Sequence, residues 1–290
     1  MRGEEAGRRA GAPEPDGRPG AAAGTDPAGT PRRPAGPDNR RIARAPVSVA
    51  QGLLVERYRT ESMQAAFELL RQTSQRFNVR LYVLVEALIR LPGPDHDAGR
   101  WFPRRIRTAP PPLHGLPVDP DGPCGQSEVL AAALHRVLHV NQTGMGNVQI
   151  AQHGLLRLEK HTGLTTEFTD YFMFVRDTTS ACAQAARRRA QITVRDVALA
   201  DVYDEPSRQT ILRADSRACH SVPLVGPSGR VLGVISSHHR RPLPGPTYAQ
   251  LAALQTMGVA VGGWLSWYRQ TVVLDALEHL HAAATGAAPR

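Results

Sequence analysis

The sequence predicts an α+β protein in which a small three-helix unit precedes an antiparallel sheet flanked by helices. Apolar residues between positions 46 and 91 recur at three- and four-residue steps, which is the period of amphipathic helices. Farther along the chain, pairs of apolar runs are joined by short turns, which predicts β-hairpins. Strands and helices alternate there without a regular βαβ order, and this irregularity favours an antiparallel sheet.

Composition and charge exclude several classes of protein. The 290 residues contain 35 Lys+Arg and 26 Asp+Glu, a formal net charge of +9, and the excess is spread along the chain rather than gathered in one basic block. No run approaches the roughly 18 apolar residues of a membrane span, and the opening residues lack the apolar core of a secretory signal. The three cysteines are widely scattered, so a reducing cytoplasm is expected. A single lysine among abundant Arg, Ala, Gly and Pro indicates a GC-rich, bacterial genome.

Two folded segments are predicted, with Pro- and Gly-rich segments before and between them. Residues 1–45 have almost no large apolar residue and are predicted to be a disordered tail, because they cannot bury enough surface to offset the entropy of ordering. Residues 92–125 contain nine prolines and are predicted to form a semi-stiff linker. The folded segments are then 46–91 and 126–285. Three apolar linker residues are candidates for local docking: Trp101, Phe102 and Ile106.

The segment 46–91 is predicted to contain three short helices. Pro46 suits the first turn of the first helix, since a proline there loses no hydrogen bond. Thr60 and Ser62 are both candidate N-caps of the second helix, and Asn78 is the expected cap of the third. A segment of about 45 residues buries only a marginal core, so this unit is expected to need a partner surface or a dimer. The clearest apolar stripe is that of the second helix: Met63, Ala66, Phe67, Leu70, Ser74 and Phe77.

Several runs of this segment combine small, apolar and basic residues in a distinctive order: Ala50-Gln51-Gly52-Leu53-Leu54, Ala66-Phe67, Leu70-Arg71, Asn78 and Arg80-Leu81. They resemble the ANTAR domain, a three-helix RNA-binding module of bacterial antitermination regulators. The resemblance implies binding to a stem-loop in a nascent leader RNA, which prevents a terminator hairpin from forming, under control of dimerisation or a conformational signal. The chain departs from the family at Val85, where alanine is frequent. The larger valine side chain is expected to weaken any contact with RNA that requires a small residue at this position.

Six residues of the segment are candidates for RNA contact. Guanidinium groups fork onto phosphates or stack on loop bases, and stem-loop RNA is usually recognised through unstacked bases. The alternative is that the arginines are solvated and paired with Glu68 or Glu86. Gly52 serves either a close approach of RNA or a close approach of two helices. The candidates are Gln51, Gly52, Arg71, Arg76, Asn78 and Arg80.

The segment 126–285 is predicted to begin with a helix at Ser127–Val140 and to end with a long helix at Thr247–Tyr268. Between them, two hairpins are predicted around the turns His153-Gly154 and Gly226-Pro227-Ser228-Gly229. The remaining predicted elements are the strands Gly146–Gln152, Leu155–Lys160, Ile192–Val194, Ala218–Val225 and Arg230–His238, and helices from Thr165 or Thr166 to Val175 and over Ser180–Arg188.

A second set of runs lies in this segment: Gly146–Ile150, Ser180-Ala181-Cys182, Ile192–Val197, and the pair Ser221–Leu224 and Gly229–Ser236. In this order they resemble a GAF domain, and the last pair is the most diagnostic. The resemblance implies a sensor domain, and domains of this family can hold a small-molecule ligand. It names no particular cofactor, because GAF domains variously bind cyclic nucleotides, haem, bilins, small metabolites or nothing.

Histidines and cysteines of this segment are the remaining candidates for chemistry. His238 and His239 are expected on opposite faces of a strand, which argues against joint metal binding, and no metal site is predicted. Cys182 and Cys219 are interpreted as small buried residues rather than redox sensors or catalytic thiols. No phosphate loop or nucleophile–base pair is found, so no catalytic residues and no enzymatic activity are predicted. The apolar stripe from the last predicted helix to Leu280 is expected to form a dimer surface, to pack on the domain's own sheet, or both.

The sequence therefore predicts a cytoplasmic, homodimeric bacterial regulator, without membrane association, in which a GAF-like sensor controls an ANTAR-like unit that binds leader RNA. The usual order of the two units is reversed, so a signal cannot pass down a continuous helix from the sensor to the RNA-binding unit. Release of a masked surface, or dimerisation through the sensor, fits a stiff linker better. Two alternatives stay open: a sensor or scaffold whose helical unit binds protein, and an enzyme that uses Cys182 or Cys219.

Overall fold

The computed structural model describes residues 37–94, 100–102, 105–118, 124–176 and 179–286. The predicted disordered tail lies outside the described residues as far as position 36. Its last nine positions, 37–45, instead form the first turns of helix α1.

Helix α1 spans Pro37–Tyr58, so the prediction that Pro46 opens this helix is wrong, because Pro46 lies inside it. A tertiary contact anchors the early turns: the Asn39 side-chain amide donates to the backbone oxygen of Asp170 over 2.7 Å, and Asn39 is buried. The sequence pattern gave no sign of this start, because a distant segment rather than a local apolar stripe fixes it.

The next two helices complete the small helical unit. Helix α2 spans Met63–Arg76, and Ser62 rather than Thr60 is its N-cap, since the Ser62 hydroxyl accepts from the backbone N–H of Ala65. Helix α3 spans Leu81–Arg90, and its N-cap position is held by Arg80 rather than by Asn78. Asn78 instead takes a left-handed conformation with φ 48°, which asparagine tolerates better than most residues. The turn between α2 and α3 therefore uses Asn78 to reverse the chain.

The described part of the Pro-rich segment is docked on the C-terminal helix. Trp101 is 6% exposed, and its backbone N–H and that of Phe102 donate to the carboxylate of Glu278 over 3.1 and 2.9 Å. The Trp101 ring stacks on Phe102 and lies under the guanidinium of Arg57. Ile106 is 84% exposed and does not dock.

The second half of the described chain is built on one six-stranded antiparallel sheet with the order β3-β2-β1-β6-β5-β4. Two tight hairpins join the central strands, as predicted, and the first turns through His153 and Gly154 with positive φ at both residues. The strands are β1 (Met145–Gln152), β2 (Leu155–Thr162), β3 (Phe174–Val175), β4 (Ile192–Val194), β5 (Ala218–Val225) and β6 (Val231–His239).

Helices cover both faces of the sheet, and a separate hydrophobic core lies on each face. Helices α4 and α8 pack on one face, over Val148, Val222 and Ile235. The other face, with Val234 and Cys219, packs against α5, α6, α7 and a short 3₁₀ turn at Val197–Leu199. The bounds are α4 (Gln126–Val140), α5 (Thr166–Tyr171), α6 (Ala181–Arg188), α7 (Glu205–Arg213) and α8 (Tyr248–Gln270).

Two predicted elements end differently from their sequence patterns. The helix predicted to run to Val175 stops at Tyr171, because Phe174 and Val175 pair with β2 as a short strand. The helix predicted to be the last is followed by another, α9, which spans Val272–Thr285 after a break at Thr271.

Helix α9 joins the small helical unit to the sheet unit. Its apolar residues Leu277 and Leu280 are fully buried and belong to the same core as Leu70 and Leu84 of α2 and α3. Tyr58 Oη lies 3.0 Å from Nδ1 of His281, which is also on α9. The buried residues of the apolar stripe that continues to Leu280 therefore pack within the chain, and a dimer surface on another face stays a prediction.

Candidate functional site

The outer face of α2 carries two of the predicted RNA-binding arginines. Arg71 donates from Nε and Nη2 to the two carboxylate oxygens of Glu68, over 2.8 and 2.5 Å, and from Nη1 to Gln75 over 2.8 Å. These hydrogen bonds, from Arg71 above all, lower the pKa of Glu68 to about 2. The predicted alternative pairing with Glu68 is thus present, but both side chains of the pair are about two-fifths exposed. Such an exposed ion pair is worth little and yields readily to a phosphate.

Arg76 lies in the last turn of the same helix and is exposed. Among the residues that the structure describes, no carboxylate lies within 4 Å of it. Arg71 and Arg76 together therefore present two guanidinium groups to solvent from one helix.

The α2–α3 junction carries Asn78 and Arg80, and both contact the sheet unit. Arg80 Nε lies 3.4 Å from a carboxylate oxygen of Glu159, and its Nη2 donates to the Ser127 hydroxyl over 3.2 Å. The carboxylate side chain of Glu159 is only 6% exposed. The backbone oxygen of Asn78 accepts from Tyr268 Oη over 3.4 Å.

Glu159 reaches Arg80 because strand β2 has a bulge. Val148 pairs with Lys160 and Gln149 pairs with Leu158, so Glu159 is the extra residue between them. A bulge re-aims the side chain of its extra residue, and here the carboxylate meets the junction. No sequence signal predicts this bulge, since neither glycine nor proline marks it.

Helix α3 is held against the sheet unit by a second set of contacts that the sequence did not predict. The Arg157 guanidinium lies over the Tyr82 ring at 3.9 Å, and Gln126 donates its side-chain amide to Tyr82 Oη over 2.9 Å. Burial, reinforced by the Glu159 carboxylate, raises the pKa of Tyr82. The alternating polar residues Arg157 and Glu159 of β2 were the available signal for a polar surface there.

Other residues of α3 are unavailable to RNA in this conformation. Val85 is fully buried, so it makes no contact that a smaller residue would make better. Glu86 pairs with Arg90 over 3.3 Å rather than with any of the three candidate arginines.

Gln51 and Gly52 lie on α1, near the opposite end of α2. Gln51 donates its side-chain amide to the backbone oxygen of Met63 over 2.8 Å, at the first residue of α2. Gly52 is exposed, and a Cβ placed on it would meet no atom within 4 Å. The interpretation of Gly52 as a close helix–helix approach is therefore wrong, because the space above it is open.

The six candidates do not form one compact cluster. Met63 and Arg76 mark the two ends of α2, and at 1.5 Å per residue they are about 20 Å apart. Gln51 lies at one end, while Arg76, Asn78 and Arg80 lie toward the other. Arg76 lies beside the junction residues Asn78 and Arg80, but it differs from them because no contact with the sheet unit holds its side chain among the described hydrogen bonds and ion pairs.

The second sheet face holds a polar pocket around His238. The ring accepts at Nδ1 from the Ser216 hydroxyl over 2.9 Å and donates from Nε2 to Asn147 Oδ1 over 3.0 Å. Complete burial lowers the pKa of His238 to about 3, so the ring is neutral at physiological pH. The cavity beside it measures about 20 Å³, which is room for roughly one water molecule. Sites for drug-sized ligands measure about 300–1,000 Å³, so a ligand as large as haem or a bilin requires this pocket to open.

The two cysteines of this face are buried in the same region. Cys219 Sγ lies 3.1 Å from Tyr203 Oη, and burial raises the pKa of its thiol to about 12. A thiol that stays protonated is a poor nucleophile, which agrees with the interpretation of Cys219 as a small buried residue. Cys182 Sγ lies 3.3 Å from the Ser180 hydroxyl and is buried as well.

The described residues contain neither a metal-ligand cluster nor a helix that could span a membrane. No group of three or more His, Cys, Asp or Glu among them is arranged to hold a metal ion. No helix within the described ranges is long and apolar enough to cross a membrane.

Comparison with known proteins assigns both units. Residues 39–89 match the family model of the ANTAR domain, and residues 126–263 match that of the GAF domain. Comparison with curated protein sequences gives no significant match.

Several solved structures match about half of the chain at low sequence identity. A GAF domain/HD domain protein from Geobacter sulfurreducens is 17% identical with a TM-score of 0.42, covering 49% of this chain and 92% of its own. The type II free methionine-R-sulfoxide reductase from Thermoplasma acidophilum is 16% identical with a TM-score of 0.40, covering 48% and 91%. The GAF domain of an Acinetobacter phosphoenolpyruvate-protein phosphotransferase is 12% identical with a TM-score of 0.42, covering 51% and 86%. These values carry no conclusion about activity. The two family matches and the six-stranded sheet show that the chain contains an ANTAR domain followed by a GAF domain.

Proposed function

We propose that this protein is a signal-responsive antitermination regulator that binds stem-loop leader RNA through its ANTAR domain, under the control of its GAF domain. The observation that carries the proposal is the ion pair between Arg80 of the ANTAR domain and Glu159 of the GAF domain. This pair joins a candidate RNA-binding residue directly to the sensor domain. No catalytic step is part of the proposal.

The ANTAR domain supplies the chemistry for RNA. Arg71 and Arg76 on α2 offer charged donors for phosphates or for stacking on loop bases, and Gly52 offers a surface without a side chain. Their common exposure supports a role in contacting a large, flexible ligand rather than a role in packing.

The GAF domain supplies the control. In the docked conformation, a phosphate must compete with Glu159 for Arg80 and with the sheet unit for the surface of α3. A signal that loosens β2 or α4 would free Arg80 and Asn78 to join the arginines of α2. Release of a masked surface therefore suits this chain better than a signal through a continuous helix.

The experiment is a selection of RNA hairpins with randomised loops on the full chain, followed by gel shifts of the retained hairpins. Wild-type protein and a released variant, Glu159→Gln, are compared with the double variant Arg71→Ala/Arg80→Ala. We expect hairpins to be retained, more tightly by the released variant, and to be lost by the double variant. A second double variant, Arg187→Ala/Arg188→Ala, removes two exposed arginines from α6 as a matched control. Failure of both the wild-type and the released protein to retain any hairpin overturns the proposal.

A protein-binding role of the helical unit is the second candidate, because the buried face of α3 already engages a protein surface, that of the GAF domain. Salt distinguishes the two roles. Binding to phosphates weakens steeply as salt rises, whereas an apolar protein interface changes little. Capture of a helical partner with an affinity that is constant between 50 and 300 mM salt favours the second candidate.

The homodimer stays part of the proposal, with a surface other than the buried stripe of α9. Light scattering of the full chain over a hundredfold range of concentration tests it. A constant monomer mass removes dimerisation from the proposed mechanism.

A further inference from the structure

A basic groove lies between helix α1 of the ANTAR domain and the β1–β2 hairpin of the GAF domain. It encloses about 770 Å³, which is within the range of small-molecule sites and far more than the cavity beside His238. One wall is the early part of α1, and the other is the hairpin turn with strand β3 beside it.

The charges of the lining have one sign. Arg41, Arg157 and Arg176 line the groove together with His153, and no carboxylate is among the described lining residues. The guanidinium groups of Arg157 and Arg176 border the same space and repel each other, and a bound anion lowers this electrostatic free energy. The groove is therefore complementary to negative charge.

Arg157 is positioned by its neighbours. Its guanidinium is stacked on Tyr82, and its backbone pairs with Phe174 across strands β2 and β3, which places both side chains on one face. The Nε of Arg157 is buried without a hydrogen-bond partner among the described residues. The side chain of Arg157 is among those that line the groove, so its guanidinium contributes positive charge there.

Apart from Gln152, the rest of the lining is mostly apolar, which argues against a simple inorganic anion as the complete occupant. An inorganic ion leaves most of the volume and the apolar walls without a partner. A molecule with an acid group and an apolar body satisfies both parts of the lining. The apolar lining residues are Ile42, Pro46, Val49, Ile89, Leu155 and Phe174.

We propose that this groove is a binding site for an amphipathic organic anion, a carboxylate or sulfonate with an apolar body of medium size. Because one wall belongs to each domain, the bound anion links α1 to the GAF hairpin. The site is separate from the pocket beside His238 and does not depend on RNA binding.

The test uses the full chain with the fluorescent anion 1-anilinonaphthalene-8-sulfonate as probe, and octanoate and 1-octanol as competitors. Val49 lines the groove and is 52% exposed, so substitutions there disturb the core little. We expect saturable binding, displacement by octanoate but not by 1-octanol, and a loss of affinity on the order of tenfold in Val49→Glu. Val49→Lys, which adds a long side chain of the opposite charge at the same position, is expected to retain the affinity.

Matched controls separate the groove from the general charge of the protein. Ser48→Glu places the same charge on the neighbouring exposed residue, and Arg44→Gln removes an exposed arginine of α1 outside the groove. Both are expected to bind as wild type, whereas Arg176→Gln is expected to bind about tenfold more weakly. Near-ultraviolet circular dichroism verifies that each variant keeps its tertiary packing.

Three results overturn the proposal. One is the absence of saturable binding to the folded wild-type protein. Another is equal weakening by Val49→Glu and Val49→Lys, or by Val49→Glu and Ser48→Glu. The third is displacement of the probe by RNA hairpins while octanoate has no effect, which assigns the groove to nucleic acid instead.

Discussion

The outer face of α2 and the α2–α3 junction both carry candidate RNA-binding residues, but they differ in what holds those residues. Among the described residues, Arg71 hydrogen-bonds only within its own helix, and Arg76 is exposed near His279 of α9. Arg80 at the junction is paired with a carboxylate of the GAF domain that is almost completely buried. The Arg80 side chain is 52% exposed and the Arg71 side chain 43%, so the two groups differ in the domain that supplies their ionic partner and not in their exposure. Arg71 and Arg76 are called the presented group below, and Arg80, which pairs with the sensor domain, the held group.

This difference suggests separate roles: Arg71 and Arg76 provide RNA binding, and the pairing of Arg80 with the GAF domain provides control. A surface that is always presented provides basal attraction for a polyanion, and it does not respond to a signal. A surface that is held adds affinity only after release, and so it gives the sensor a means of control. The increase in RNA affinity when Arg80 is released from Glu159 is limited to the contacts that the freed side chain can make with RNA.

The largest expected effect is that of removing the presented group. Arg71→Ala/Arg76→Ala removes two charged donors, each worth about 1.5–3 kcal/mol when bonded to a phosphate, so RNA affinity should fall at least about a hundredfold. Gel shifts at constant salt measure the loss. Arg80→Ala should cost less in the wild-type chain, because Arg80 is already paired. An equal or larger loss in Arg80→Ala breaks the division into presented and held groups.

The next effect is that of releasing the held group. Glu159→Gln removes the negative charge opposite Arg80 and should raise RNA affinity by about fivefold, the equivalent of about 1 kcal/mol for a partly exposed ion pair. Glu205→Gln, an exposed acid of α7 paired with Arg208, changes the net charge equally and serves as the control. If both variants raise the affinity equally, the effect is one of total charge and the held group has no special part.

A smaller effect is expected at Gly52. Gly52→Ala adds a methyl group in open space and favours the helix, so the free energy of unfolding should rise by up to about 1 kcal/mol. If RNA approaches α1 closely here, affinity should fall several-fold in the same variant. Urea unfolding and gel shifts on one preparation measure both quantities. Higher stability with unchanged affinity places Gly52 outside the RNA-binding surface.

The smallest effect is expected from Glu68→Gln. This change removes the charge that pairs with Arg71 and leaves a hydrogen-bond acceptor, so Arg71 should be slightly more available to RNA. Because exposed pairs are worth only about 0–1 kcal/mol, we expect a gain of about twofold, most visible at low salt. A loss of affinity instead would mean that Glu68 is needed to orient Arg71.

Local signals predicted much of the fold. The two central hairpins and the helix at the start of the GAF domain follow from short-range patterns, and the structure has them within a residue or two. The N-cap of α2 was narrowed to Thr60 or Ser62, and the structure selects Ser62. The predictions are wrong where contacts with distant segments of the chain determine the secondary structure. Asp170 anchors the early turns of α1, and pairing with β2 converts Phe174 and Val175 from helix to strand.

The candidate site was predictable only in part, for the same reason. Arg71 and Arg76 lie on the solvent face of α2, as the position of the apolar stripe implies. The ion pair between Arg80 and Glu159 was not predictable from the sequence. The two residues are 79 positions apart, and a bulge in β2 directs the Glu159 side chain toward Arg80. The predicted marginal core of the small unit does receive a partner surface, but α9 of the same chain supplies part of it.

The contact between Tyr58 and His281 spans 223 positions of sequence, and it has a consequence for synthesis. A ribosome that adds about 5–20 residues per second needs on the order of ten to forty seconds to make α9 after α1. During this time α2 and α3 lack the helix that completes their core, and their apolar faces are open to other partners. The ANTAR domain is thus translated first but among the last parts to finish folding, so its maturation is timed by the completion of the sensor that controls it.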